Sequence, residues 1–193
     1  MQTSNVSSEN IAEFLTPQRI LIPRILQGAL TLGVIGYGLI LLVVSFAGRS
    51  SGQSSNVSPD DTLLVLSIAN LAFTVVSSVL AFVVHSRPPF YLWLSKSRRG
   101  PTFDSTGNRI VNPAAEINGI YITRLLVRLA LLEGSAFFGL TVCFVGLLNA
   151  GVTIESEFWF NAIPAIIMLF YSLSTFPSKD RIIAEFQEIA HSI

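Results

Sequence analysis

Long apolar segments separated by polar and charged stretches dominate the pattern of the chain. Four of them cover residues 24–47, 62–85, 120–148 and 158–177. Each reaches the roughly 20 helical residues that cross a hydrocarbon core about 30 Å thick. None alternates like a barrel strand, so helices remain as the way to satisfy backbone hydrogen bonds in lipid. The pattern predicts an all-α membrane protein, a four-helix transmembrane bundle in which residues 1–193 form a single integral membrane domain.

Two amphipathic segments flank the predicted spans. Ile11, Phe14 and Leu15 gather on one face of a short N-terminal helix, and the last helix, from Lys179 onward, has one apolar and one charged face. We expect both to be cytoplasmic interfacial helices, although the apolar face of the last helix would serve equally well for docking onto a partner. The first spanning helix is expected to begin at Pro23, because a first turn does not need the N–H that proline lacks.

The composition supports the membrane interpretation. Hydrophobic residues make up 51% of the chain and charged residues 12%, and the mean hydropathy is +0.61. These values lie outside the usual range of soluble proteins. Because 12 basic and 12 acidic residues cancel, the formal net charge is zero and nothing indicates a nucleic-acid partner.

The basic residues are unevenly distributed between the two sides of the predicted spans. Arg49 lies on one side, and on the other lie Arg19, Arg24, Arg87, Lys96, Arg98, Arg99, Arg109, Arg124, Arg128, Lys179 and Arg181. The positive-inside bias therefore predicts that both termini and the middle segment are cytoplasmic. We interpret the cluster of Lys96, Arg98 and Arg99 as a topology signal that also attracts anionic lipid, with a partner-docking site as the alternative.

Glu133 lies in an otherwise apolar part of the third span. It is five residues beyond Arg128, so a salt bridge within the helix is poorly aligned. A charge near the bilayer centre costs about 2.5 to 3.5 kcal/mol, and we therefore expect a partner on another helix. The candidate partners are Gln27, Tyr37, Asn70, Asn161 and Tyr171, with Arg24 or Arg128 of a neighbouring element. Several roles stay open for Glu133. It is a hydrogen-bond anchor that fixes helix packing, the ion- or proton-binding group of a carrier, part of a solute pathway, or a contact with a partner.

Small residues indicate where another helix can approach closely. A shift of 101 positions matches Ala29 with Ala130 and Gly33 with Gly134. Such an echo indicates a duplication, which would make the spans two tandem hairpins in parallel repeat. The predicted packing residues are Ala29, Gly33, Ala130, Gly134 and Gly139. They would pack the first and third helices against each other or against copies in another chain.

Two short sequence motifs resemble those of a known family. RLALLEGSAFFGL, residues 128–140, and FPSKDRI, residues 176–182, resemble the signature of an uncharacterised family of small bacterial inner-membrane proteins with four predicted spans. This resemblance implies a multi-pass protein of the bacterial cytoplasmic membrane and supplies no mechanism. The glycine-rich hairpins and the single carboxyl group are also similar to the rotor-ring proteolipids of rotary ATPases. The chain departs from those because Glu133 is on the first helix of its hairpin and the cytoplasmic connection is long.

No enzyme motif occurs in the sequence, which contains no P-loop, GxSxG, HExxH or CxxC. We therefore expect no catalytic activity, no cofactor and no metal. The predicted function is that of a structural or accessory membrane subunit, which packs through small residues in the lipid bilayer and forms a homo-oligomer or binds another membrane protein. The alternative is a proton or sodium carrier or channel component that uses Glu133.

Overall fold

The computed structural model describes residues 14–49, 61–86, 93, 113–149 and 156–192. Helix α1 covers Pro17–Arg49, α2 covers Asp61–Ser86 and α3 covers Pro113–Asn149. A 3₁₀ helix, Ser156–Ala162, leads into α4, Ile163–Ser174, and α5 follows at Lys179–Ser192. The described residues contain no strand, and the all-α prediction is confirmed for them.

Three helical segments are long and apolar enough to cross a membrane: Pro17–Ala47, Asp61–Val84 and Ile117–Leu148. A fourth candidate, Phe158–Ser174, is long and apolar enough only when it is counted together with Lys179–His191, which follows after a short break. A 3₁₀ helix rises about 2 Å per residue and an α-helix about 1.5 Å, so residues 156–174 extend about 32 Å. The fourth element therefore has the length of a hydrocarbon core about 30 Å thick.

The neighbours of α3 alternate in direction. Helix α1 runs parallel to α3, whereas α2 and the 3₁₀ helix run antiparallel to it. The contacts that fix these directions are Gly33 with Phe137 and Tyr37 with Thr141 for α1, Gly139 with Asn70 and Gly134 with Phe73 for α2, and Gly139 with Asn161 and Cys143 with Phe158 for the 3₁₀ helix. This order is the one expected when successive helices cross a membrane in opposite directions.

The chain divides into two compact units that interleave along the sequence. The first unit comprises Met1–Leu26, Phe82–Arg128 and Phe176–Ile193, and the second comprises Gln27–Ala81 and Leu129–Thr175. Because each unit draws on separate parts of the chain, no single cut separates them. The single domain over residues 1–193 stays a prediction.

The second unit is organised around the middle of α3. Half of the apolar window of α3 is buried (50%), compared with 17% for α1 and 22% for α2. The buried side chains of this unit include Val34 and Leu41 of α1, Ala136 and Cys143 of α3, and Met168 of α4. The other faces of α1 and α2 are covered with exposed leucine, isoleucine, valine and phenylalanine, as expected for helices surrounded by lipid.

The first unit has an apolar core of its own, made of Leu15, Ile20, Ile117, Ile120, Tyr121, Ile182, Phe186 and Ile189. Phe186 of α5 is fully buried, and its ring centroid lies 5.4 Å from that of Tyr121 on α3. The prediction that the apolar face of the last helix lies on the bilayer is therefore wrong, since protein covers that face. The sequence did not reveal this because an apolar stripe has the same periodicity whether lipid or protein covers it. Helix α3 begins at Pro113, seven residues before the predicted span, and its Ile117 adds to the core.

The N-terminal predictions need one correction. Helix α1 begins at Pro17, and Pro23 lies inside the helix instead of starting it. The first turn is held by the carbonyl oxygen of Thr16, which accepts the N–H of Ile20 at 3.2 Å, and the side chain of Ile20 is buried in the core of the first unit. Packing at this turn offsets the one backbone hydrogen bond that Pro23 removes. Of the predicted N-terminal helix, residues 9–13 lie outside the described residues.

Candidate functional site around Glu133

Glu133 lies on the side of α3 that faces α1. Its Oε1 is 3.8 Å from the position that a Cβ would take on Gly33, and Cζ of Phe137 is 3.5 Å from the same position. One turn further along α1, the ring of Tyr37 lies 5.7 Å from that of Phe137, and its hydroxyl is 3.3 Å from Oγ1 of Thr141. Residues four apart on α3 thus form one face toward α1, as helix geometry requires. The Glu133 side chain is half-buried at the edge of this contact.

No described residue forms a hydrogen bond or an ion pair with Glu133. The polar residues predicted as its partners bind elsewhere or pack in the core. Tyr37 pairs with Thr141, and Arg24 donates to the carbonyl oxygen of Pro177 at 2.8 Å. Tyr171 packs against the apolar core of the second unit. Gln27, Asn70 and Asn161 form the two clusters described next, so the structure does not bring the predicted polar partners to Glu133.

Asn70 and Asn161 form the first polar cluster, between α2 and the 3₁₀ helix. Nδ2 of Asn70 donates to Oδ1 of Asn161 at 3.0 Å, and Nδ2 of Asn161 donates to Oγ of Ser67 at 3.0 Å. Asn161 is fully buried and Asn70 is 3% exposed. Gly139 of α3 makes this approach possible, because a Cβ there would collide with the carbonyl oxygen of Asn161. The cluster joins α2 to the 3₁₀ helix through neutral side chains, and Gly139 of α3 packs against it.

Gln27 forms the second polar cluster, between α1 and α4. Its Nε2 donates to the carbonyl oxygen of Ser172 at 2.6 Å and lies 3.4 Å from Oγ1 of Thr175. Oγ1 of Thr31, one turn further along α1, is 2.5 Å from Oγ of Ser172. The bond from Gln27 satisfies the carbonyl oxygen of Ser172 at the end of α4, where a helix leaves its last carbonyl oxygens without partners in the helix.

The predicted packing residues have different neighbours. Gly33 faces α3, and Gly139 faces the Asn70–Asn161 cluster. Gly134, the counterpart of Gly33 in the sequence echo, instead faces the ring of Phe73 on α2 at 3.8 Å. Ala29 and Ala130 are exposed on the outside of α1 and α3. The two echoed helices therefore do not use their glycines in the same way, and the tandem repeat stays a prediction.

Arg124 is the residue whose role the sequence concealed. The positive-inside bias counts it among the basic residues on the cytoplasmic side, but only 2% of its side chain is exposed, and its Nη2 lies 3.4 Å from Oε1 of Glu188 on α5. The spacing of Arg124 and Arg128 indicated a basic helix end and nothing more. The acidic face of α5, with Glu185 and Glu188, was the signal for an ion pair between α3 and α5.

Glu185 is the second ionisable group of this contact. Burial raises the pKa of the Glu185 carboxyl above its ordinary value of 4.5, against the lowering effect of Arg124, Arg128 and Arg181, while Glu188 adds to the rise. Nε of Arg181 lies 3.8 Å from Oε1 of Glu185, one turn apart on α5. Desolvation disfavours the charged form of a carboxyl group, which explains the direction of the shift.

The remaining predicted residues give no further site. Lys96, Arg98 and Arg99 lie outside the described residues, so their role stays a prediction. Among the described residues, no group of three or more His, Cys, Asp and Glu could hold a metal ion. No protein family, curated protein or solved structure matches this chain.

Proposed function

We propose that the protein is a structural or accessory subunit of the bacterial cytoplasmic membrane. In this proposal it crosses the bilayer as a four-helix bundle with cytoplasmic termini and binds a further transmembrane helix on the Glu133 face. We define that face by the exposed Ala29 and Gly33 of α1 and by Ala130 and Glu133 of α3.

One observation carries this proposal: Glu133 is half-exposed on the outside of the second unit and no described residue pairs with it. Glu133 lies about 7.5 Å along the helix from Arg128 and about 22 Å from Leu148, at the outer end of the apolar segment. This position, nearer one end of the apolar segment than its centre, moderates the cost of a charge, but even a neutral carboxyl group in lipid is better hydrogen-bonded. Since the described chain provides no partner, a second membrane-embedded helix is the natural source of one.

The surroundings of Glu133 support the same proposal. Ala29 and Gly33 are four residues apart on α1, and small residues at this spacing allow another helix backbone to approach closely in lipid. Further along α1 the exposed surface carries large apolar side chains, such as Ile40 at 56% and Val43 at 66% exposure. The Glu133 face is therefore the part of this surface where a neighbouring helix gains both contact and a hydrogen bond.

A photo-crosslinking amino acid at Ala29 tests the proposal in native membranes. The matched control is the same amino acid at Val79 of α2, which is 55% exposed on another face. We expect a protein adduct from position 29 and little or none from position 79. Equal and low yields at the two positions would refute the proposal. For the orientation, a reporter that is active only in the cytoplasm should be active when it is fused to the C-terminus.

The alternative function, an ion carrier, rests on the same exposed carboxyl group. A carbodiimide that modifies protonated carboxyl groups in lipid would label Glu133 in both cases. Only a carrier would also move protons or sodium across proteoliposomes and lose that transport in the Glu133→Gln variant, because the amide cannot release a proton. Transport by the unmodified protein, absent in Glu133→Gln, would establish the alternative in place of the subunit proposal.

A further inference from the structure

The groups exposed on the Glu133 face can pair with copies of themselves. Ala29, Gly33 and Ala130 are small and exposed, so the backbone of another helix can approach closely at these positions. Within 4 Å of a Cβ on Gly33 lie only Phe137 and Glu133 of the same unit, which leaves the outer side of Gly33 open. Glu133 itself carries a carboxyl group, which when protonated is both a donor and an acceptor.

Resting on the function proposed above, we infer that the helix on the Glu133 face belongs to a second copy of this chain. The two copies are related by a two-fold axis along the membrane normal, which brings Glu133 against Glu133 of the partner subunit. The site is incomplete in one chain, because the carboxyl group meets its hydrogen-bonding partner only when the second copy is present.

Depth in the membrane favours a second copy. Two copies inserted in the same orientation hold the same residue at the same depth, and a two-fold axis along the normal brings the same patch of each into contact. Each carboxyl group and the small residues beside it then lie at the same depth as their counterparts in the other copy. The same holds for the Tyr37–Thr141 pair, about 12 Å further along α3. An unrelated helix would need its own polar group at this one level.

The pairing chemistry also limits what two copies can do. The described parts of the spans, residues 25–48, 61–86, 129–149 and 156–174, contain no lysine or arginine. The nearest basic residue on α3, Arg128, is about 7.5 Å from Glu133 along the helix axis, so at the level of Glu133 itself the group that a second copy places there is its own carboxyl group. Two carboxyl groups can instead share a proton or form two reciprocal hydrogen bonds, since two like charges this close cannot both be ionised.

Disulfide crosslinking between differently tagged copies tests this inference. The lone cysteine is first replaced (Cys143→Ala), and Ala130→Cys is then introduced on the Glu133 face. Val79→Cys is the matched control. Val79 is nine residues after Asn70 on α2, and Ala130 is nine residues before Gly139 on the antiparallel α3. Since Asn70 lies beside Gly139, the two cysteines lie at the same depth on different faces.

We expect oxidation to join the two tags rapidly through Ala130→Cys and slowly through Val79→Cys. In the Ala130→Cys chain, Glu133→Leu should lower the affinity between copies by about 3- to 15-fold, the equivalent of one interhelical hydrogen bond in a membrane. Glu133→Gln should retain most of the affinity, because two amide groups can also pair with each other.

Three results would overturn the inference. Equal crosslinking rates for Ala130→Cys and Val79→Cys would show that the copies do not meet on this face. Unchanged affinity in Glu133→Leu would show that the carboxyl pair does not hold them. Adducts from Ala29 that contain a different membrane protein, without crosslinks between tags, would also exclude the second copy but leave the proposed function intact. The first comparison uses unmodified Glu133, so it decides even if Glu133→Leu fails to fold.

Discussion

Gly139 is the position where one added methyl group should test the packing of the second unit most directly. The side-chain and backbone groups of Asn161 and Asn70 occupy the space that a Cβ would need, and the nearest atom is a backbone carbonyl oxygen rather than the end of a flexible side chain. A Gly139→Ala variant can therefore fold only if the 3₁₀ helix moves away from α3.

The magnitude follows from two costs. Overpacking of a well-packed interior costs about 1 to 3 kcal/mol. Moving Asn161 also weakens its bonds to Asn70 and Ser67, both 3.0 Å long, and interhelical hydrogen bonds in membranes contribute about 0.6 kcal/mol each. The free energy of unfolding should fall by about 2 to 4 kcal/mol in Gly139→Ala.

Cys143 provides the assay, because it is the only cysteine in the chain and its side chain is fully buried. A thiol reagent should modify it only when the second unit opens, so the labelling rate reports the free energy of opening. Labelling in detergent across a denaturant series, together with far-ultraviolet circular dichroism, measures the same transition with two probes.

Gly146→Ala is the matched control on the same helix. A Cβ on Gly146 would meet nothing within 4 Å, and alanine has a better helix propensity than glycine by up to about 1 kcal/mol. This variant should be as stable as the original chain or slightly more stable. If Gly139→Ala matched Gly146→Ala, the close approach of Asn161 to α3 would be refuted.

Two further predictions concern the first unit. Phe186→Ala should release α5 by removing a fully buried ring, at a cost of about 3 to 5 kcal/mol, whereas Phe176→Ala should cost far less because that ring is 48% exposed. Limited proteolysis of α5 compares the two variants, and equal cleavage would contradict the packing of Phe186 in the core of the first unit. Because burial raises the pKa of Glu185 above 4.5, the contribution of Glu185 to the docking of α5 should be most favourable below about pH 4.5 and should be lost as pH rises through that raised pKa. Glu185→Gln should remove this contribution and tighten docking at neutral pH. Proteolysis of α5 across a pH series measures this, and identical pH profiles for Glu185→Gln and the original chain would contradict the prediction.

Much of the fold was predictable, because lipid imposes a simple rule on sequence. A membrane span needs an uninterrupted apolar helix. This requirement alone located both ends of α2 and the C-terminal ends of α1 and α3 to within a few residues, whereas α1 and α3 begin seven residues before the predicted spans. The positions of Asn70 and Asn161 were also informative, since polar side chains in lipid are expected to face protein. The identity of their partners was not predictable, because four helices allow many pairings at similar depth.

The docking of α5 was not predictable from its amphipathic pattern. An apolar stripe on a helix has the same periodicity whether lipid or protein covers it. The decisive facts are that α3 continues to Pro113 and that Arg124 is buried against α5, and both depend on tertiary contacts. A basic residue near a helix end is usually read as a membrane anchor, and here the acidic residues of α5 redirect it.

The two polar clusters also bear on the choice between an internal anchor and an external contact for Glu133. Gln27 already joins α1 to α4, and Asn70 with Asn161 joins α2 to the 3₁₀ helix, both through neutral and buried groups. Glu133 adds no hydrogen bond to either cluster, so Glu133→Leu should change the unfolding free energy of detergent-isolated monomers by no more than about 0.5 kcal/mol. The same substitution should weaken association in membranes. A loss of monomer stability above about 1 kcal/mol, comparable to a lost internal hydrogen bond, would instead make Glu133 the internal anchor.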